Sequence, residues 1–477
     1  MTAAATQQSE LWVDGAWRAA ERTVEIRSPY DGALAGVAAL ADPALVDVAV
    51  ASAAAAMRED DFPAHARAEV LERVAALIAR DTERIAHVLT SETGKPIKQS
   101  RGELERAQQT FKLSALEARR LRGETIPMDA VPTGVGKLAF TVRVPIGVVA
   151  AITPFNFPIN LAAHKLGPAF AAGCAVVLKP AEATPLATAL LVELLLEAGL
   201  PPRWIQLVNG GPDVGARMVE HPDVAAVSFT GSAPVGWRIR AAAPSKRVAL
   251  ELGANAPLIV HDDGDWAAAA DRTAIHGYSY AGQSCISVQR VLVHAAVAEP
   301  FTARLLERVS ELRVGDPLDE ATDVGPVIDA RSRDRVCEWI AEAVELGGTL
   351  LTGGTVAGDG TLAPALLRDV PAAAKAWEDE VFGPLVCVNA YEDFEQAIEA
   401  ANSTRFGLQA GVFTASLARA LRAAEALEFG GVIVNDVPTY RADHQPYGGI
   451  KESGNTREGP EYAVREFTEE RFVSLQP

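Results

Sequence analysis

Apolar residues recur along this chain at two spacings, and the spacing changes as the chain advances. Leu11 to Gly32 reads as short strands and turns, with Asp14-Gly15 and Asp31-Gly32 at the turns. Between Arg67 and Thr90 the apolar set Val70, Leu71, Val74, Leu77, Ile78, Ile85, Val88 and Leu89 repeats at helical spacing. A second helical segment runs from about Lys98 to Arg120, and Gly123 to Pro145 then reads as a hairpin with Thr133-Gly134 and Gly136 near its turn. From Gly147 short apolar runs alternate with helical stretches. Gly147–Ile152, Ala175–Leu178, Trp204–Val208, Val224–Phe229 and Val248–Leu250 predict strands. Leu161–Ala172, Thr184–Ala198, Pro212–Glu220 and Pro234–Ala242 predict helices. Such alternation implies βαβ units and a parallel sheet covered on both faces. It restarts at Leu258–Val260, and Trp266 to Tyr280 is again helical. Glu466 to Gln476 predicts a last strand, with Arg471, Val473 and Leu475 on one face.

The expected class is α/β, with two doubly wound domains. Residues 1–122 and 146–250 form a Rossmann-like nucleotide domain, 251–448 a catalytic domain, and 123–145 with 449–477 a small β element for oligomerisation. An unpaired terminal strand is an aggregation hazard, so the last strand is expected to pair across subunits.

Composition narrows the function. The chain has 477 residues, 49% hydrophobic and 22% charged, enough for two or more domains with large cores. Its formal charge of −18 argues against nucleic acid and against a polybasic membrane anchor. Met1 to Glu10 has no signal-peptide pattern, and no apolar run reaches 18 residues. The four cysteines, Cys174, Cys285, Cys337 and Cys387, fit neither a zinc site nor a disulfide framework. The expectation is a reduced, cytoplasmic protein without a resident metal.

Cys285 differs from the other three. It follows Gly282-Gln283-Ser284 rather than lying in an apolar block. Elsewhere the chain offers a candidate base, Glu251, and an amide donor, Asn156, in a turn between Pro154 and Pro158. On its own a cysteine is more often buried and inert, Asn156 a turn residue and Glu251 an exposed strand end. Together they supply a nucleophile, a base and an oxyanion donor.

Seven segments, in order, resemble the aldehyde dehydrogenase superfamily: Thr153-Pro154-Phe155-Asn156-Phe157-Pro158, Leu178-Lys179-Pro180-Ala181-Glu182, Phe229-Thr230-Gly231-Ser232, Glu251-Leu252-Gly253-Ala254-Asn255, Gly282-Gln283-Ser284-Cys285, Glu380-Val381-Phe382-Gly383-Pro384 and Pro446-Tyr447-Gly448-Gly449-Ile450-Lys451. The resemblance spans nearly the whole chain. It implies a Cys285 thiolate that attacks an aldehyde, hydride transfer to a nicotinamide, and hydrolysis of the thioester with Glu251 as base. Asn156 and the Cys285 backbone N–H would hold the oxyanion. The cofactor contacts it implies are Thr153, Pro154, Phe155, Lys179, Glu182, Gly231, Ser232, Leu252, Glu380 and Phe382. Glu182 favours NAD over NADP, because a carboxylate accepts from ribose hydroxyls and repels a 2′-phosphate. A homodimer or homotetramer is implied as well.

Cys285-Ile286-Ser287-Val288-Gln289-Arg290-Val291 and the stretch Arg441 to Gly449 resemble the branch acting on lactaldehyde, glyceraldehyde 3-phosphate and phosphonoacetaldehyde. Two departures bear on the substrate. Ser284 stands where anion-binding members often carry Arg, and Phe157 where some phosphonate-type members carry His. Both favour an uncharged or partly apolar substrate, while Arg441 and Arg106 stay open as anion ligands or as surface or interface salt bridges. Asn455 stands where members often carry an apolar residue. Coenzyme-A acylation and a non-enzymatic role on the same scaffold are the rival functions. Glu251 disfavours the first, and the intact Cys285, Glu251 and Asn156 set disfavours the second.

Overall fold

The computed structural model describes residues 7–476. Two seven-stranded sheets dominate it. The first runs, edge to edge, Arg247–Glu251, Val224–Thr230, Val148–Ile152, Val176–Lys179, Ile205–Leu207, Leu11–Val13 and Ala16–Arg18. Its first five strands are parallel, and the N-terminal hairpin closes the far edge antiparallel. The second runs Thr349–Thr352, Ala365–Arg368, Leu385–Tyr391, Arg290–His294, Pro257–Val260, Gln409–Phe413 and Gly431–Val434. It is parallel except at its first pair.

The inner strands read as unbroken apolar runs because both faces are covered. All residues of Val148–Ile152, Val176–Lys179 and Pro257–Val260 are buried. The helix Pro158–Ala172 lies against the first sheet and is buried on every side, so its sequence carries no polar stripe.

Two expectations change. The helical pattern from Arg67 to Thr90 is two helices, Ala64–Arg80 and Thr82–Thr93. The chain departs from helical geometry at Asp81 (φ −102°, ψ 16°), and the Thr82 hydroxyl takes the Ile78 carbonyl at 2.9 Å. The helix before the cysteine ends at Tyr278, because Tyr280, Ala281 and Gly282 all lie in the left-handed region. The terminal strand, Thr468–Leu475, pairs antiparallel with Leu138–Pro145 of its own chain through its whole length, which joins the two segments expected to form the small β element. Only its outer edge is left open. Among the described residues no helix is long and apolar enough to cross a membrane.

Candidate active site

Cys285 sits on a loop set by strained backbone. Left-handed conformations cost non-glycine residues free energy and persist where the surroundings over-determine them. Tyr280 is held by Gln99, which accepts its N–H at 2.8 Å, and by Thr93, whose carbonyl accepts its hydroxyl at 3.2 Å. Gly282 follows at φ +70°, where a Cβ would lie 2.0 Å from the Gly383 carbonyl oxygen, so only glycine fits. The buried Gln283 side chain donates to the Tyr280 carbonyl at 3.2 Å and accepts the Ile328 N–H at 2.8 Å. The half-buried Cys285 thiol emerges from this loop with its sulfur 3.0 Å from the Tyr447 hydroxyl.

Asn156 approaches from the first sheet, on the turn after Val148–Ile152. Its Nδ2 donates to the Gln283 carbonyl at 3.0 Å, and its Oδ1 accepts the Phe157 N–H at 3.1 Å. One amide hydrogen therefore ties Asn156 to the cysteine loop, and the other stays available. The Cys285 N–H has no backbone acceptor among the described residues. Ser284 is half-buried, and its hydroxyl turns back to the Ile286 N–H. Phe157 packs edge-on to Tyr280 and lies under the Lys95 ammonium, 4.0 Å from its ring centroid.

Glu251 ends the edge strand of the first sheet. It is buried, and neither carboxylate oxygen has a hydrogen-bond partner among the described residues. Burial, then the neighbouring Glu458 charge, pushes its carboxyl well above the usual range. Gly448 makes room for it: a Cβ there would lie 2.6 Å from Glu251 Oε1. Asn455 fixes the strand that carries Glu251. Its Oδ1 accepts the Leu250 N–H at 2.9 Å and its Nδ2 donates to the Val248 carbonyl at 3.0 Å. That explains a polar residue at a position read as apolar.

Around these groups lies a buried charge network. Glu458 accepts from Arg441 at 2.9 Å and from Lys165 at 3.3 Å. Lys165 also donates to Thr230 at 2.6 Å and Ser228 at 3.2 Å. Burial favours a neutral Glu458, but the Lys165 and Arg441 cations outweigh it and hold this carboxyl below its usual range. Arg441 thus forms a buried salt bridge within the chain rather than a surface one, and its Nε has no partner among the described residues. Arg106 is also internally paired, with Asp443 at 2.8 Å, and His164 contacts the same carboxylate at 3.1 Å.

The remaining sequence-derived positions divide into two places. At the carboxyl ends of the first sheet, Lys179 and Glu182 border a cavity of about 410 Å³, with Ile152, Gly211 and Phe229 in its walls. Lys179 is buried, its ammonium bonded only to the Pro180 carbonyl at 3.3 Å, and burial lowers its pKa despite Glu182. Glu182 is exposed at the rim. Among the described residues the buried Thr153 hydroxyl has no partner, and the exposed Ser232 caps the helix Ala233–Ala242 without a side-chain bond. Free donors and acceptors here, beside an open helix N-terminus, fit a nucleotide's ribose and phosphates. Gly231 donates its N–H to the Glu251 carbonyl at 3.1 Å, and buried Leu252 donates its N–H to Ser453 O at 2.9 Å.

The second place is nearer the cysteine. Glu380 accepts the Ala254 N–H at 3.0 Å, and desolvation pushes its carboxyl up to about 7. A Cβ on Gly253 would collide with it at 2.3 Å. Phe382, also left-handed at φ +47°, packs edge-on to Phe155 with centroids 5.8 Å apart, and half-buried Pro154 precedes that ring. Sequence reasoning assigned no separate part to Gln283, Tyr447, Lys165 or Glu458. Gln283 and Tyr447 stood inside recognised segments, so their sequence context was the available signal.

The model of the Aldehyde dehydrogenase family matches residues 17–473. The chain is 46% identical to "3-sulfolactaldehyde dehydrogenase" of Priestia aryabhattai, covering 98% of each. Its fold is similar to that of aldehyde dehydrogenase 21 from Physcomitrella patens in complex with the reaction product succinate, with a TM-score of 0.95, 37% identity and 99% of each chain covered. It is also similar to betaine aldehyde dehydrogenase from Staphylococcus aureus in complex with NAD+, with a TM-score of 0.94, 31% identity and 98% of each chain covered. With a match this long, the chain belongs to the aldehyde dehydrogenase family and is an oxidoreductase.

Proposed function

We propose that this protein oxidises a small polar aldehyde to its carboxylic acid with NAD as the preferred acceptor. The observation that carries this reading is the meeting of Cys285 and Glu251 at Tyr447-Gly448, with Asn156 bonded to the cysteine loop. The Cys285 sulfur adds to the aldehyde carbon. The free Asn156 amide hydrogen and the Cys285 N–H stabilise the oxygen that becomes negative. A bound nicotinamide would accept the hydride that leaves the carbon as the Cys285 thioester forms; Glu380 and Phe382 would hold its ribose and ring, and Lys179 and Glu182 the adenosine ribose. Glu251 then takes a proton from the water that attacks the Cys285 thioester, releasing the acid and regenerating the sulfur. A buried carboxyl with a raised pKa suits that task, since a base works best near the ambient pH.

For the substrate, we favour an aldehyde of two to four carbons with an anionic far end, such as a sulfonated aldehyde. The named relative acts on sulfolactaldehyde, and the Physcomitrella enzyme binds succinate. The Arg441 cation, packed on Tyr447 beside the Cys285 sulfur, supplies a positive field for that anion. Ser284 and Phe157 pull the other way, toward a neutral substrate.

The test is NADH formation by the purified protein with a panel of aldehydes, repeated with NADP and with coenzyme A. The panel holds sulfolactaldehyde, sulfoacetaldehyde, lactaldehyde, succinic semialdehyde, benzaldehyde and medium-chain alkanals. Highest kcat/KM for sulfonated or carboxylated aldehydes supports the reading. Preference for neutral alkanals would overturn its substrate class, and an absolute requirement for coenzyme A would overturn hydrolysis.

A further inference from the structure

Tyr447 lies in Pro446-Tyr447-Gly448-Gly449 and is 3% exposed. Its hydroxyl is 3.0 Å from the Cys285 sulfur. Between a thiol and a phenol, either atom can donate. Once the sulfur is ionised only the phenol can, and hydrogen bonds to a charged acceptor are the stronger kind. Burial, followed by the neighbouring thiol, pushes the phenol's pKa well above 10, so it keeps its proton.

The ring is also fixed from its face. The Arg441 guanidinium carbon lies 3.6 Å from the ring centroid, and Glu458 anchors Arg441 from behind at 2.9 Å. The Arg441 side chain is only 5% exposed, so little water screens this cation. A cation on the ring face draws density from the phenol and strengthens its O–H as a donor. Something must oppose the surroundings here: burial pushes the Cys285 thiol up to about 11, and the Glu380 and Glu251 carboxylates add to that push.

We infer that Tyr447 is a catalytic residue whose hydroxyl donates a hydrogen bond to the Cys285 thiolate, with Arg441 as the positioning residue that holds and polarises the phenol ring. The inference rests on the reading of Cys285 as nucleophile. No proton leaves the phenol. The thiol proton passes to solvent, and the phenol bond stabilises the charge left on sulfur. When that sulfur bonds to carbon the negative charge moves to the substrate oxygen, and the phenol bond weakens. Tyr447 therefore raises the resting thiolate fraction and has no part in hydrolysis.

The experiment measures the rate of iodoacetamide alkylation of Cys285 against pH in the full-length protein, read by peptide mass mapping, for wild type and Tyr447→Phe. Loss of one hydrogen bond to a charged group is expected to move the thiolate midpoint up by about one pH unit. Alkylation at pH 7.5, well below that midpoint, then falls about tenfold. The pH profile of kcat/KM should shift in step. Arg441→Gln should move the midpoint in the same direction. Should Tyr447→Phe fold poorly, 3-fluorotyrosine at position 447, a more acidic phenol, should move the midpoint down instead. An unmoved midpoint in both Tyr447 variants overturns the inference. Alkylation reads the Cys285 thiol directly, so it is separate from the nucleophile assignment, which fails if Cys285→Ala retains turnover.

Discussion

The two ends of the candidate site are built on opposite terms. On the first sheet, Lys179 and Glu182 stand beside an open cavity, one with a single backbone partner and the other at the rim. Around Cys285, Glu251, Glu458, Lys165, Arg441 and Tyr447 are all buried, and most are bonded to one another. Where charge meets water, a side chain contributes mostly binding energy. Where charge is buried beside charge, it decides where protons sit. Substitutions on the cofactor side should therefore change affinity and selectivity, and those on the sulfur side should change rate and pH profile.

The sharpest separation comes from Cys285→Ala. Turnover is expected to fall by about 10⁴-fold or more, with NAD affinity, read by fluorescence titration, within about twofold of wild type. A large loss of NAD affinity would erase the distinction between the two sides. Glu251→Gln should slow deacylation by about 10²–10⁴-fold and accumulate acyl-enzyme visible by intact mass. In the wild type, deacylation should rise with pH as Glu251 loses its proton, because its raised pKa leaves it neutral on the acid side. The glutamine variant should lack that limb. Asn156→Ala should lower kcat by about 10²–10³-fold, the usual loss for one oxyanion donor, with little change in NAD affinity. The smallest effect is expected at the rim. Glu182→Ala should raise NADP use relative to NAD by about tenfold, by removing the carboxylate that repels a 2′-phosphate, with kcat for NAD nearly unchanged. No change in the ratio of the two kcat/KM values would remove Glu182 from cofactor selection.

Much of this arrangement was legible in the sequence, and the reasons are physical. Strands such as Val148–Ile152 and Val176–Lys179 announce themselves because burial on both faces demands unbroken apolar runs. The site positions could be named because seven segments resemble a known family, and some of them, such as Lys179 and Glu251, also end apolar strands. The break at Asp81 was hidden because apolar spacing continues on both sides of it. The left-handed run from Tyr280 to Gly282 was hidden because Tyr and Ala are ordinary helix residues there, and the reason they leave the helix lies with Gln99, Thr93 and Gly383. The charge network joins Lys165, Arg441 and Glu458 from distant segments, so no local spacing marks it. Arg441 illustrates the limit: its residue type pointed to anion binding, and only the fold shows Glu458 already occupying one face of its guanidinium.

Asn455 carries one consequence further. The strand bearing Glu251 is the outermost of its sheet, and an outermost strand normally invites another chain to zip alongside it. A carboxamide has the same donor and acceptor as a peptide unit. Asn455 uses both, together with its own backbone N–H on Leu250, to stand in for a missing neighbour. One side chain thus acts as a bolt across a half-buried selvedge. It denies that margin to foreign strands and keeps the ribbon that ends in the candidate base from slipping in register.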